Sequence, residues 1–524
     1  MPPVRPLPQR RPPPVSTPQN SPLQRGLRSP ALWTGAAGLL LATGQAPLSL
    51  PWLAVVGLAA GIWLISSAGA PRAMAWRGWL LGTVYFAACL PWIVEPFFVD
   101  AARHGWMAPF ALVGLAAGLA LFWGLACGCA GWLGRRSSGA GRPVLVALGL
   151  VAAEAARAHL FTGFPWASIG HIWIGAPQAQ LAALTGAGGL TLITCLAAAL
   201  PAALGAQRAL LGAMLGAALL AIPAAWGMVR VGLLASDAQA DAPVVRLIQP
   251  NAPQHQKWDR DHIRTFYQRG LALSSAPPTG AQPALVVWPE TSVPIPLSRA
   301  DATLKEIAQA AQAPVAAGIL RRSDEDGLAR NSLVLVGPEG DIQAVYDKHH
   351  LVPFGEYIPF ASALNSMGLY GLAEAAGGYG AGPGPRVLDF GPELGLGLPL
   401  ICYEAVFGPE LRAAPERARF ILQITNDAWF GRWMGPQQHL AQAQLRAIEQ
   451  GLPVLRAANT GVSAVIDATG QVISSLPMGV AGHLDAPLPA GLERTPYDRW
   501  GGLPVGVIWV LCIVGTLTFL RDPS

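Results

Sequence analysis

Apolar stretches long enough to cross a lipid bilayer recur along the first half of the chain, and this recurrence constrains the fold more than any other feature. They fall near 31–48, 50–68, 76–98, 108–133, 143–160, 180–204 and 209–230, and an eighth, GLPVGVIWVLCIVGTLTFL, stands alone near 502–520. A helix needs about 20 apolar residues to span the hydrocarbon core. It also bonds its own backbone polar groups, as lipid demands. Of the 524 residues, 52% are hydrophobic and 12% are charged, about half the charged share usual in soluble domains. The expectation is an α-helical membrane domain of about eight transmembrane helices, joined to a polar domain that occupies most of the second half.

Charge placement orients such a chain. The formal net charge is +5 and the pI is near 9.0, but the basic residues lie between apolar segments instead of forming one patch. That arrangement speaks for membrane topology and against nucleic acid. Arg5, Arg10, Arg11, Arg25 and Arg28 precede the first span. Arg72 and Arg77 follow the second, Arg135, Arg136 and Arg142 the fourth, Arg208 the sixth and Arg521 the last. The expected layout has residues 1–28 as a disordered cytoplasmic tail, 29–232 as seven membrane helices, 243–490 as an outer domain and 500–521 as a final helix. Both termini are then cytoplasmic. The Pro- and Arg-rich tail is not a cleavable signal, because the apolar run after it is one of many.

The outer segment has another texture. Short apolar runs, PVVRLIQP, ALVVWPE, APVAAGIL, NSLVLVGP, GLPLICYE, FILQITND, LPVLRAAN and SAVIDATG, alternate with helical patterns such as DATLKEIAQAAQA and QQHLAQAQLRAIEQG. Continuous apolar strands between helices predict an α/β domain whose sheet faces are covered. The glycine-rich stretch 361–386 is too long for an ordinary connection and reads as an apolar lid against lipid.

Three runs end on groups capable of chemistry. LVVWPE ends at Glu290, VYDKHHLVPFGEY holds Lys348 and Glu356, and LPLICYE carries Cys402. Polar groups past the carboxyl ends of strands converge on the site of an α/β sheet. A carboxylate can take a thiol proton, the thiolate is the nucleophile, and an ammonium can lower the thiol pKa and stabilise an oxyanion. Each residue alone has a plainer reading, as a solvated strand end, a core cysteine or a surface charge, and spacing leaves both readings open. Only Lys257, Lys305 and Lys348 are lysines among 35 basic residues, so a lysine kept at a strand end draws notice. Cys402 is the one cysteine of the outer segment; the other five (Cys89, Cys127, Cys129, Cys195 and Cys512) lie in apolar runs, where cysteine behaves as a small hydrophobe. No zinc-like spacing or third ligand accompanies His349 and His350. His439 reads as a residue that caps or packs a helix.

The strings themselves decide between the readings. VVWPE, DKHHLVPFGEY, ICYE, NDAWFG and LRAANTGVSAV resemble the nitrilase, or carbon-nitrogen hydrolase, superfamily, which uses a Glu–Lys–Cys triad in an αββα sandwich. KHHLVPFGEYIP, the flanking spans and TPYDRWG before the last span narrow the resemblance to its membrane branch, the apolipoprotein N-acyltransferases, over nearly the whole chain. The resemblance implies Glu290 as general base, Lys348 as oxyanion-stabilising lysine, Cys402 as acylated nucleophile and Glu356 as a second essential glutamate. It implies Trp258, Trp166, Tyr403 and Glu404 near the substrate. Asn426 to Gly431, Arg456 and Asn459 also fall in family motifs. The implied reaction moves an sn-1 acyl chain from a phospholipid, phosphatidylethanolamine for preference, through a Cys402 thioester to the N-terminal diacylglyceryl-cysteine of an apolipoprotein. It needs no cofactor and no metal, and it takes place at the bacterial inner membrane with the catalytic domain periplasmic. A membrane-tethered amidase and a transporter with a ligand-binding outer domain are the competing readings.

Overall fold

Among the described residues, eight apolar helices accompany a two-sheet α/β unit. The computed structural model describes residues 29–136, 140–234, 241–359 and 378–519. The basic tail (1–28), most of the expected lid (360–377) and Arg521 lie outside the described residues.

A helix lies in each of the eight apolar stretches: Pro30–Ala42, Pro51–Ser66, Pro71–Cys89, Ala108–Leu133, Gly141–His159, Ala182–Ala203, Ala209–Leu234 and Leu503–Phe519. Proline at the first or second position opens the first four, where its missing N–H is no loss. Their lengths differ from the expectation. Among the described residues, Ala101–Leu133, Pro177–Ala203 and Ala206–Leu234 are long and apolar enough to cross a membrane, and Pro71–Cys89 with Pro91–Phe98, bent by 50°, makes a fourth. Pro30–Ala42, Pro51–Ser66 and Leu503–Thr518 are shorter. Gly141–His159 carries Arg142, Glu154 and Arg157.

Glu154 and Arg157 do not form a polar path. They pair at 2.7 Å with both side chains buried, and Trp123 Nε1 donates to Glu154 at 2.8 Å. Arg157 donates to the carbonyls of Phe164 and Trp166. The pair therefore fastens the loop that carries Trp166. Close helix packing rests on small residues: a side chain at Gly78 would meet Cys127 Sγ at 2.6 Å.

In the α/β unit, β1 (Val244–Gln249), β2 (Leu285–Val287), β3 (Val315–Arg322), β4 (Ala329–Val336), β5 (Ile342–Asp347) and β12 (Gly482–Pro487) form a sheet of order β12-β1-β2-β3-β4-β5. A second sheet, of order β11-β10-β9-β8-β7-β6, contains β6 (Leu388–Asp389), β7 (Leu396–Ile401), β8 (Phe420–Thr425), β9 (Val454–Ala458), β10 (Ser463–Ile466) and β11 (Val472–Leu476). The central strands β1-β2-β3 and β7-β8-β9 run parallel and their flanks antiparallel. Alternation along the strands builds the layers. Leu285, Val287, Leu422 and Ile424 meet between the sheets, while Val286 and Ile248 face outward onto Leu304 and Ile307 of the helix Asp301–Ala311. Ile421 and Val454 face the helix Gly435–Gln450. The sheet faces are covered, as the continuous apolar strands predict, and the two-sheet sandwich is the one the resemblance implies.

The two parts are joined across a polar seam. Gln438 accepts from the indole N–H groups of Trp92 and Trp166 and donates to the carbonyls of Ala46 and Cys89. Tyr403, Val406 and Phe407 pack into the apolar cluster of the helical region. The turn after β7 thus sits at the junction of the two parts.

Candidate active site

Three strand ends bring the predicted residues together, and each end is locally built for the purpose. After β2, Pro289 cannot donate to the ladder and the chain turns at Glu290. Thr291 adopts φ 45°, a genuine outlier for a β-branched residue. Gly318 of β3 lies directly beneath, and its carbonyl accepts from the N–H groups of Ser292 and Val293 at 2.9 and 3.1 Å. A methyl group there would come within 2.5 Å of Pro289 O and Thr291 N. Lys348 follows β5, its amide bonded to Asn331 O at 2.8 Å. Cys402 follows β7 at φ 54° and opens a tight 3₁₀ turn, Cys402–Val406.

Glu290 is held at both oxygens. Asn331 Nδ2 donates to Oε1 at 2.7 Å and Asn426 N–H to Oε2 at 2.8 Å. Lys348 Nζ lies 3.8 Å from Glu290 and 2.8 Å from Glu356. The Asn331 amide also reaches Glu356 at 3.2 Å, bridging the two carboxylates. Glu356 accepts in addition from Val352 N–H at 2.8 Å, so it belongs to the site through Lys348 and Asn331.

The electrostatics assign the resting protons. Burial pushes the Cys402 thiol above its ordinary range; Glu290 raises it further, and Lys348 pulls it down without prevailing. Burial opposes the Lys348 charge, but Glu356 and Glu290 outweigh it and hold the ammonium above its usual range. The arrangement therefore rests as thiol and ammonium. The expected lowering of the thiol by lysine exists as a direction only, and deprotonation needs a base at hand. Glu290 is the carboxylate whose charge acts most strongly on the thiol.

Behind Cys402 lies a buried support. Gln423 Nε2 donates to Cys402 O at 3.3 Å and lies 3.1 Å from His439 Nε2. His439 Nδ1 meets Asp427 at 2.9 Å, and Asp427 accepts from Arg456 at 2.6 Å. His439 thus packs its helix as expected, and it also braces the cysteine peptide. Glu404 is fully buried and accepts from Ile401 N–H and His349 N–H, each at 2.7 Å, and from the Tyr346 hydroxyl at 3.0 Å. It ties the cysteine turn to the segment bearing Lys348. Tyr403 is buried, and its hydroxyl has no hydrogen-bond partner among the described residues. His349 and His350 both meet Glu410.

Trp166 is buried in an aromatic group with Trp92 and Phe430, their ring centroids 4.5 and 5.5 Å away. Trp258 is 43% exposed beside the Glu290 turn. Asn331, Gln423 and Lys257 complete the neighbourhood without having been expected there. Asn331 and Gln423 sit inside apolar strands, where a lone polar residue gives no signal of its partner.

Residues 37–200 match the apolipoprotein N-acyltransferase N-terminal domain and residues 245–497 the carbon-nitrogen hydrolase domain. An apolipoprotein N-acyltransferase from Caulobacter vibrioides is 40% identical over 90% of this chain and 92% of its own length. Those from Sinorhizobium fredii and Bradyrhizobium diazoefficiens are each 38% identical, over 86% and 92% of this chain and 88% and 94% of theirs. With relatives so similar along almost their entire length, and with a helical region followed by a two-sheet hydrolase-type unit, the chain belongs to the apolipoprotein N-acyltransferase family.

Proposed function

We propose that the protein N-acylates apolipoproteins at the membrane, taking the acyl chain from a phospholipid through a thioester on Cys402. Glu290 takes the thiol proton as the thiolate attacks the sn-1 ester carbonyl, and Lys348 faces the developing oxyanion. Collapse expels the lysophospholipid alkoxide, which recovers the proton from Glu290. The free α-amino group of a diacylglyceryl-cysteine then attacks the thioester, its proton passing by Glu290 to the departing sulfur. Acid–base work by one carboxylate in both halves suits a group held at both oxygens beside its ammonium.

The observation that carries this reading is that Lys348 lies 3.8 Å from Glu290 and that the charges of both act on Cys402, which opens a turn that packs into the helical region. Both substrates are anchored in lipid, so a site at that junction is where they would arrive. The reading takes 29–232 with 500–521 as an eight-span membrane domain, 243–490 as the periplasmic catalytic domain and 1–28 as a cytoplasmic tail. Outward apolar side chains such as Phe110, Leu125, Leu210 and Leu233, each more than 70% exposed, support a lipid-facing bundle. Phosphatidylethanolamine is the proposed donor.

Purified protein incubated with dipalmitoyl phosphatidylethanolamine should gain one palmitoyl mass on the Cys402 peptide and lose it to an added diacylglyceryl-cysteinyl peptide. Cys402→Ala should gain none. An unmodified Cys402 in protein that is turning over would sink the proposal, and ammonia release from simple amides would redirect it to amide hydrolysis.

A further inference from the structure

Lys257 is the second buried ammonium at this site, and the acyl-transfer scheme above gives it no task. It ends the short helix Gln254–Lys257 and is 6% exposed. Its Nζ donates to Glu290 O at 3.0 Å and to Thr291 Oγ1 at 2.9 Å. These acceptors belong to the two residues of the strained turn that presents the base. Among the described residues no carboxylate lies within ion-pair distance of Lys257, although a buried charge ordinarily requires one. The nearest compensation is the site itself, where the Glu290 carboxylate favours the Lys257 charge.

The same helix reaches Glu290 a second time. Gln254 Oε1 accepts from Asn426 Nδ2 at 2.8 Å, and the Asn426 N–H is the donor to Glu290 Oε2. One end of the helix therefore supports the peptide of the base and the other supports its carboxylate. Trp258 follows immediately, its ring centroid 5.6 Å from Lys257 Nζ, and together they line a shallow cleft with Phe266, Trp288 and Thr291. We propose that Lys257 is a positioning residue for acyl transfer, whose ammonium locks the Glu290 turn to the segment bearing Trp258, so that contact at Trp258 is transmitted to the base. This rests on the reaction proposed above. Burial brings the Lys257 pKa down to about 8, against the pull of Glu290 and Cys402; Tyr267 also lines the cleft, its hydroxyl donating to Glu306. The lock should accordingly weaken as pH rises through about 8.

The test compares wild type, Lys257→Met and Lys257→Arg by the rate of palmitoyl adduct formation on Cys402 between pH 6 and 10. Hydrogen exchange of residues 250–262 is followed in parallel. Lys257→Met should acylate at least tenfold more slowly, lose the decline of wild type above pH 8 and exchange faster in that segment. Lys257→Arg should recover part of the rate. Acylation by Lys257→Met within twofold of wild type, with the same pH profile, would overturn the proposal. If wild-type Cys402 accepts no acyl chain, the functional reading fails instead. Iodoacetamide alkylation of Cys402, read on its peptide, then decides: equal rates and pH profiles in wild type and Lys257→Met dispose of the lock, and slower alkylation in the variant sustains it.

Discussion

Glu356 should act through Lys348, and its removal gives an effect whose size follows from two distances. Lys348 Nζ stands 2.8 Å from Glu356 and 3.8 Å from Glu290. In Glu356→Gln the ammonium keeps a single anion, Glu290, and closes on it. Shortening that pair from 3.8 to 2.8 Å strengthens it by about 1.5 kcal/mol at an effective dielectric near 20. Glu290 must give up that energy each time it accepts the thiol proton, which makes it roughly a tenfold weaker base. The same movement draws Nζ away from the substrate carbonyl, and one lost oxyanion donor costs about 10²–10³ in rate. Thioester formation on Cys402 should thus fall by at least roughly 100-fold. Fold loss is the smaller effect, because Lys348 is left with a partner. The assay is rapid quench after mixing with phospholipid, read as intact mass, with thermal unfolding in detergent as control. Glu356→Asp, which keeps the anion, should recover much of the rate. Glu356→Gln acylating within threefold of wild type would refute the argument that Glu356 sets the position of Lys348.

Other perturbations probe other parts of the structure. Gly318→Ala places a methyl group 2.5 Å from Pro289 O and Thr291 N; the Glu290 turn must lift, at about 1–3 kcal/mol in stability. Acylation should drop more than tenfold in protein that remains folded, and unchanged activity would contradict the role given to that glycine. Glu154→Gln strips the anion from a guanidinium with no exposed side-chain surface, and breaking such a pair costs about 3–5 kcal/mol. Its carbonyl partners at Phe164 and Trp166 place the loss at the lower end, seen as a reduced unfolding midpoint. His349 feels burial against it but is raised to about 9 by Glu404 and Glu410. A folded pKa above the ordinary 6.5 means that its stabilisation is complete below 6.5 and disappears as pH rises through 9. The unfolding midpoint should fall across that window, and Glu410→Gln should flatten the fall; a midpoint constant from pH 6 to 10 would count against it.

What the amino-acid order reveals, and what it hides, follows from burial. The eight short apolar runs of the outer segment are all strands, β1 to β4 and β7 to β10, because both faces of each are covered. The remaining four, β5, β6, β11 and β12, lie at the sheet edges. β11 leaves Ile473 53% exposed, and β6 has two residues, so no continuous run announces them. The helical stretches are legible as helices; their bounds are less so, since Pro51 and Pro91 set starts and breaks that hydropathy does not register.

The same contrast holds within the site. Glu290 and Cys402 could be found because each follows a continuous apolar strand, a place that chain order marks, whereas Lys348 follows the edge strand β5 and stands out by the string around it and by the rarity of lysine. Asn331 could not, because only cross-sheet placement tells that a polar residue in β4 reaches Glu290. Lys257 falls between these cases, and its signal is compositional. In a chain that otherwise uses arginine, two of its three lysines are buried at this site, while Lys305 is exposed on a helix. A guanidinium presents a broad fork suited to carboxylates. Lys257 instead directs two bonds from one nitrogen to a carbonyl and a hydroxyl of adjacent residues, and Lys348 reaches two carboxylates from one nitrogen. Both positions call for a compact cation with freely rotating donors. The rarity of lysine therefore carried information about geometry, and it marked Lys257 as strongly as Lys348.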